Sequence, residues 1–125
     1  MTIFLGDVNT RARGLGTRLL APADLERLAG ARSLFVLQRE LTNLGVIGSD
    51  VPATPEALER AVRRRAARLM AILGRWCNDD RRPLFAVVFE DEDRRSIQAA
   101  LRGAEQAASA DARLSGLVPT ATLSE

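Results

Sequence analysis

The 125-residue chain contains no histidine, lysine or tyrosine, all eighteen of its basic residues are arginine, and its formal net charge is +2. This removes most of the side chains that act as general bases or covalent nucleophiles near neutral pH, since arginine stays protonated and serves as a hydrogen-bond fork and fixed charge. An apolar content of 46% beside 27% charged residues argues against disorder and for a folded, non-enzymatic scaffold large enough to bury a core.

Aromatic residues are limited to Phe4, Phe35, Phe85, Phe89 and Trp76, so leucine and alanine must fill the interior. That favours helix packing over a β-sandwich. The lone Cys77 excludes an intramolecular disulfide and a metal-ligand set, and so gives no pointer to secretion. There is no apolar run of about 18 residues, and Met1–Leu5 lacks the basic head and apolar core of a signal peptide. The expected location is therefore the cytosol.

Taken in chain order, Leu5, Val8, Ala12, Leu15 and Leu19 are spaced 3-4-3-4, one stripe of a first helix flanked by Arg11 and Arg18, with Arg13 on the other side. Gly14 and Gly16 each cost about 1 kcal/mol inside a helix. Gly16 lies near the stripe, where a missing Cβ would admit a close backbone; the alternative is that the glycines end the helix. Pro22 suits the first turn of a second helix carrying Leu25 and Leu28, with Gly30 as its stop. Ser33 reads as the N-cap of a third, with Leu34, Leu37, Leu41 and Leu44 on one face and Gly45 after the end. Val46–Ala53 reads as a loop.

Thr54-Pro55-Glu56 is a strong helix start: a cap, then proline at the first position, then an acid near the positive end of the dipole. Leu58, Val62, Leu69, Leu73 and Trp76 form one face of that helix, which should run to about Cys77 and the turn-prone Asn78-Asp79-Asp80. Leu84–Phe89 reads as a buried strand on β-propensity alone. Ile97, Leu101, Ala104 and Ala108 follow at helical spacing without an intervening turn signal, which predicts one helix from Pro83 to about Ala107. Ser109 then caps a short helix ending at Gly116, followed by an exposed segment through Pro119. The expected fold is all-α, a helical bundle of three longer and two or three short helices. The expected organisation is a single helical domain over 1–119 with an exposed tail, or the truncated start of a second repeat, over 120–125.

Arg60, Arg64, Arg68 and Arg75 fall within a quarter-turn arc of their helix, and like charges four apart repel by a few tenths of a kcal/mol. The stripe therefore calls for an anionic neighbour. One source is internal, because a tight turn at Asp79–Arg82 would bring Glu90-Asp91-Glu92-Asp93 alongside Arg68 to Arg75. The others are an acidic protein or membrane surface, and nucleic acid. The net charge of +2 and the lack of an aromatic or glycine-rich companion element weigh against nucleic acid. The acidic run does not suit a cation, because consecutive helical residues point in different directions and no EF-hand spacing is present. Cys77, with no histidine to activate it, reads as a small buried apolar residue. Gly14 and Gly16 match no phosphate loop or dinucleotide fingerprint, so no nucleotide or other cofactor is expected.

Two segments taken together carry the most specific signal: Val8-Asn9-Thr10-Arg11-Ala12-Arg13-Gly14-Leu15-Gly16-Thr17-Arg18-Leu19-Leu20 and Asp93-Arg94-Arg95-Ser96-Ile97-Gln98-Ala99-Ala100-Leu101-Arg102. They resemble the N-terminal repeat of the C-type subunit family of A-type/V-type rotary ATPases, whose eukaryotic counterpart is the d-type subunit. Members open with an Asn-x-Arg-x-Arg helix ending in Leu-Leu. Each repeat closes with Asp-x-x-Asn-(Leu/Ile)…Leu-(Leu)-Arg and a Leu-x-Pro-Gly-x-Leu join, which here reads Leu117-Val118-Pro119-Thr120-Ala121-Thr122-Leu123. Ser96 stands where the family has asparagine, and Gln98 and Thr120 replace commoner lysine and glycine. The similarity spans nearly the whole chain, about a third of a full member with its three repeats, and its weight rests on order and spacing.

The resemblance implies a non-catalytic central-stalk coupling subunit in proton or sodium transport. In that family, the C-type subunit is a helical socket that sits on the membrane rotor ring and receives the shaft formed by the D-type and F-type subunits. The implied partners are the ring and the shaft, with contact to the membrane only through the ring. Arg60, Arg64, Arg68, Arg75 and Arg102 are the candidate docking residues. Asp93 projects within about 80° of Ile97, Leu101, Ala104 and Ala108, and the family keeps an acid there and arginines in the first helix. A buried structural pairing of Asp93 with Arg11 or Arg13 is therefore expected. The alternative function is a small arginine-rich helical module binding nucleic acid through Arg60–Arg68.

Overall fold

The structure, a computed structural model, describes residues 6–77 and 82–120. Among the described residues the chain is all-helical, with six helices and no strand: α1 Gly6–Gly16, α2 Pro22–Ala29, α3 Leu34–Asn43, α4 Pro55–Arg75, α5 Arg82–Glu105 and α6 Ala110–Ser115. Two of them are long, α4 at 21 residues and α5 at 24; α1 is next at 11. None of the described helices is long and apolar enough to cross a membrane. The chain groups into two compact units, Met1–Arg65 and Ala66–Glu125, with the division inside α4.

In the first unit, the stripe of α1 holds where the helix lasts. Val8 is buried and Ala12 and Leu15 half-buried, but α1 stops at Gly16 and Leu19 is exposed. A Cβ added at Gly16 would meet nothing within 4 Å, so Gly16 ends the helix and admits no close backbone. Pro22 opens α2, where the Asp24 carboxylate accepts from the Ala21 N–H at 3.3 Å. At α3 the Ser33 hydroxyl accepts from the Val36 N–H at 3.3 Å. α2 packs on α3, and Arg27 links them, reaching Asp24 at 3.0 Å and Glu40 at 3.3 Å.

The end of α3 shows how sequence sets chain direction. Gly45 takes a left-handed φ of +66°, the Gly45 N–H donates to Thr42 O at 2.9 Å, and the Val46 N–H donates to Leu41 O at 2.9 Å. This is a Schellman closure, and the accompanying contact between Leu41 and Val46 is part of it. The turn sends Val46 and Ile47 back into the core, where they join Leu41 and Leu58. The region expected to be a loop is one, but it supplies two of the four buried residues of that cluster. Gln38 Nε2 donates to Val51 O at 3.3 Å and pins the loop to α3. Thr54 caps α4 as expected, its hydroxyl accepting from the Ala57 N–H at 3.3 Å. Leu58 is buried but Val62 is exposed, because Ala61, one turn on from Leu58, packs against the cluster and leaves Val62 on the rim.

In the second unit, Ala67 and Cys77 are buried and Leu69, Leu73 and Trp76 half-buried. The tight turn expected ahead of Arg82 falls on residues 78–81, outside the described ones. Leu84–Phe89 is helical, so the tertiary setting overrides β-propensity there. The face of α5 differs from expectation: Phe89 and Ser96 are buried, whereas Ile97 and Leu101 are exposed. The helical period is the expected one; its inward side is not. α5 ends with a second Schellman closure, the Ala108 N–H donating to Gly103 O at 2.9 Å, with Ala107 at the left-handed position (φ 55°). Ser109 caps α6 by accepting from the Ala112 N–H at 3.2 Å, and Gly116 ends it. α6 packs against α5 so closely at Gly103 that a Cβ there would lie 2.9 Å from Arg113 Cγ.

Candidate functional site

Two groups of polar side chains stand out, one on each unit. The first centres on Arg65. The residue is half-buried, and its guanidinium donates from Nη1 to the carbonyl of Gly45 and from Nη2 to the carbonyl of Arg18 at 3.1 Å. Both acceptors lie just beyond helix C-termini, where carbonyls lack intrahelical donors and the dipole end is negative. One planar fork thus ties the ends of α1 and α3 to α4. Sequence reasoning places Arg65 in a basic cluster and misses this role. The only signal available is its spacing of one helical turn from Ala61 and two from Leu58, which puts it beside the core-facing side.

The second group is a latch on α5. Ser96 is completely buried, and its Oγ accepts from the Val118 N–H at 3.2 Å. Three residues earlier on the helix, half-buried Asp93 accepts from the Thr120 hydroxyl at 2.5 Å. Val118 is fully buried while Pro119 is exposed. Residues 118 and 120 therefore meet positions 96 and 93 as a non-helical segment alternates its sides along one helix face. The segment expected to be exposed after Gly116 is instead fastened down. Thr120, expected to begin an exposed tail, is half-buried; residues 121–125 lie outside the described ones.

The remaining candidates sort by exposure. Arg11 and Arg13 are exposed on α1; Arg60 and Arg64 are half-buried, and Arg68 and Arg75 exposed, on α4. Arg102 is exposed on α5, its Nε donating to Gln98 O at 3.3 Å. Within the acidic run, Asp91 pairs locally with Arg94 at 3.4 Å and with Arg95 at 2.9 Å. Asp93 carries the Thr120 bond. Among the described residues no three acidic or cysteine side chains gather around a point where a cation could sit. Cys77 is buried. The chemistry on offer is that of fixed guanidinium forks, suited to carboxylates and phosphates, on helices held in place by capped ends.

Comparison with models of protein families, with curated proteins and with solved structures returned no match for this chain.

Proposed function

We propose that the chain is a non-catalytic helical docking module, working as the coupling subunit, or the N-terminal repeat of one, in the central stalk of a V/A-type rotary ATPase. One observation carries the reading. The two motif segments on which the resemblance depends, Asp93-x-x-Ser96 and Leu117-x-Pro119-Thr120, are more than twenty residues apart in sequence and meet as one latch. A repeat that must continue into a further repeat needs its exit segment fixed to its last long helix, and the latch does this. The exposed guanidinium groups of Arg68, Arg75 and Arg102 would meet acidic surfaces of the ring or shaft.

The reading is tested by mixing the purified chain with a complex of D-type and F-type shaft subunits, and separately with the detergent-solubilised rotor ring. Co-elution with either is expected, weakened by reversing Arg68 and Arg75 to glutamate. Failure to bind both, together with duplex DNA binding that falls steeply with salt as phosphate contacts release counterions, would replace it with the nucleic-acid reading.

A further inference from the structure

α5 carries a second face that the fold leaves uncovered. Pro83, Val87, Glu90, Arg94, Ile97 and Leu101 recur at alternating steps of four and three and are all exposed. At 100° per residue this spacing confines them to one narrow stripe, the geometry of a coiled-coil seam. Val87, Ile97 and Leu101 expose 65%, 49% and 61% of their surface, high for large aliphatic side chains aligned on one helix. Leu84 and Val88, also exposed, lie about 100° and 140° from the middle of the stripe.

The order of residues in the seam is what identifies its occupant. The six positions are placed symmetrically about residue 92. Laid antiparallel against an identical helix centred there, Glu90 faces Arg94 of the second copy, Val87 faces Ile97 and Pro83 faces Leu101. Each contact occurs twice, as an isologous two-fold interface requires. Every charge then meets its opposite and every apolar residue meets an apolar residue. A parallel arrangement in register would set Glu90 on Glu90 and Arg94 on Arg94. We propose that this face of α5 binds a second copy of the chain in antiparallel orientation, with the paired Glu90 and Arg94 setting register and direction. A polar pair within an otherwise apolar seam is a device for doing so, at some cost in affinity.

The seam from Pro83 to Leu101 is roughly 27 Å long at 1.5 Å per residue. So short a helix pair belongs among small, reversible interfaces, to be sought from micromolar to millimolar concentration. Arg94 also reaches Asp91 on its own helix at 3.4 Å, an exposed contact that can coexist with or yield to Glu90 of the partner.

Sedimentation equilibrium of the full chain across that concentration range gives the mass directly. The wild type is expected to pass from monomer to dimer. E90R, which sets an arginine against Arg94 twice per dimer, should raise Kd at least tenfold, and R94E should do the same with glutamates. The double variant E90R/R94E should return Kd to within about threefold of wild type. Far-UV circular dichroism confirms that the exposed substitutions leave helicity intact, so that a change in mass reports the interface. A chain that stays monomeric to millimolar concentration overturns the proposal. So does a dimer indifferent to either single reversal, or a double variant that fails to recover.

Discussion

The hydroxyl of Thr120 donates to the carboxylate of Asp93 at 2.5 Å, and two residues earlier the amide of Val118 donates to buried Ser96 at 3.2 Å. The two bonds differ in what their loss would leave behind. Removing the Thr120 hydroxyl leaves a half-buried carboxylate that water can reach. Removing the Ser96 hydroxyl strands a backbone donor where the residue is wholly enclosed. Ser96→Ala is therefore expected to cost about 1–3 kcal/mol, the penalty of an unsatisfied buried amide, and Thr120→Val about 1 kcal/mol. Urea denaturation of both variants gives the ranking; a Ser96→Ala chain as stable as wild type would mean that the segment is not held this way in solution.

The pairing of Asp93 with Arg11 or Arg13 is open to a separate measurement. A double-mutant cycle of Asp93→Ala with each arginine truncation is expected to show a coupling energy above about 0.5 kcal/mol for one of the two. Coupling near zero for both would overturn the expected pairing.

Two helix ends with the same geometry give predictions of opposite sign. Gly45 and Ala107 both occupy the left-handed position of a Schellman closure. A Cβ at Gly45 has open space around it, so Gly45→Ala should destabilise only through backbone strain, by about 1–2 kcal/mol. Ala107→Gly relieves that same strain at some cost in unfolded-chain entropy, for a net gain of about 0.5–1 kcal/mol. Thermal unfolding midpoints should move apart accordingly, downward for the first and upward for the second.

Arg65 and Arg68 are one turn apart on α4 and should respond differently to the same change. Arg65→Met keeps the aliphatic stem but removes two donors from carbonyls past α1 and α3, at an expected cost of about 1–2 kcal/mol. Arg68→Met on an exposed position should change stability by less than about 0.5 kcal/mol. Equal responses in a denaturant series would show that the fork of Arg65 contributes nothing beyond its surface charge.

How much of this is legible in the sequence follows from the range of each interaction. The caps at Ser33, Thr54 and Ser109, the proline starts and the glycine stops are local, set by a few neighbouring residues, and they lie where the pattern puts them. The helical state of Leu84–Phe89 is legible because the period can be followed past it to Ala108. The inward side of α5 is not. An exposed apolar stripe and a buried one have the same spacing, and here the buried side is marked by Phe89 and a serine. Ser96 is buried where it accepts from the Val118 N–H, a relation across more than twenty residues. The partners of Arg65 are backbone carbonyls, which have no sequence signature at all. Within the candidate sites, residue identity is therefore readable where partners are local and unreadable where they come from distant backbone.

Ile47 provides a check on the least visible part of the core. It sits in a segment without regular structure, yet it is buried with Leu41, Val46 and Leu58. Ile47→Ala is expected to cost about 2–4 kcal/mol, as for a residue within a helix core, measured by urea unfolding. A loss under about 0.5 kcal/mol would place it instead among ordinary surface loop positions.

The chain's only tryptophan and only cysteine are adjacent, Trp76 and Cys77, and both belong to the unit Ala66–Glu125. Intrinsic fluorescence and thiol labelling are consequently local reporters, blind to the half of the molecule that contains α1, α2 and α3. Cys77, 4% exposed, will react with a disulfide reagent only during opening events, so its labelling rate reads out how often that unit breathes. Far-UV dichroism weighs both units together. If the optical and labelling curves coincide with dichroism across a denaturant titration, the 125 residues melt as one cooperative body. If they separate, the division inside α4 is also a boundary of cooperativity, and the fluorescent half can be followed alone.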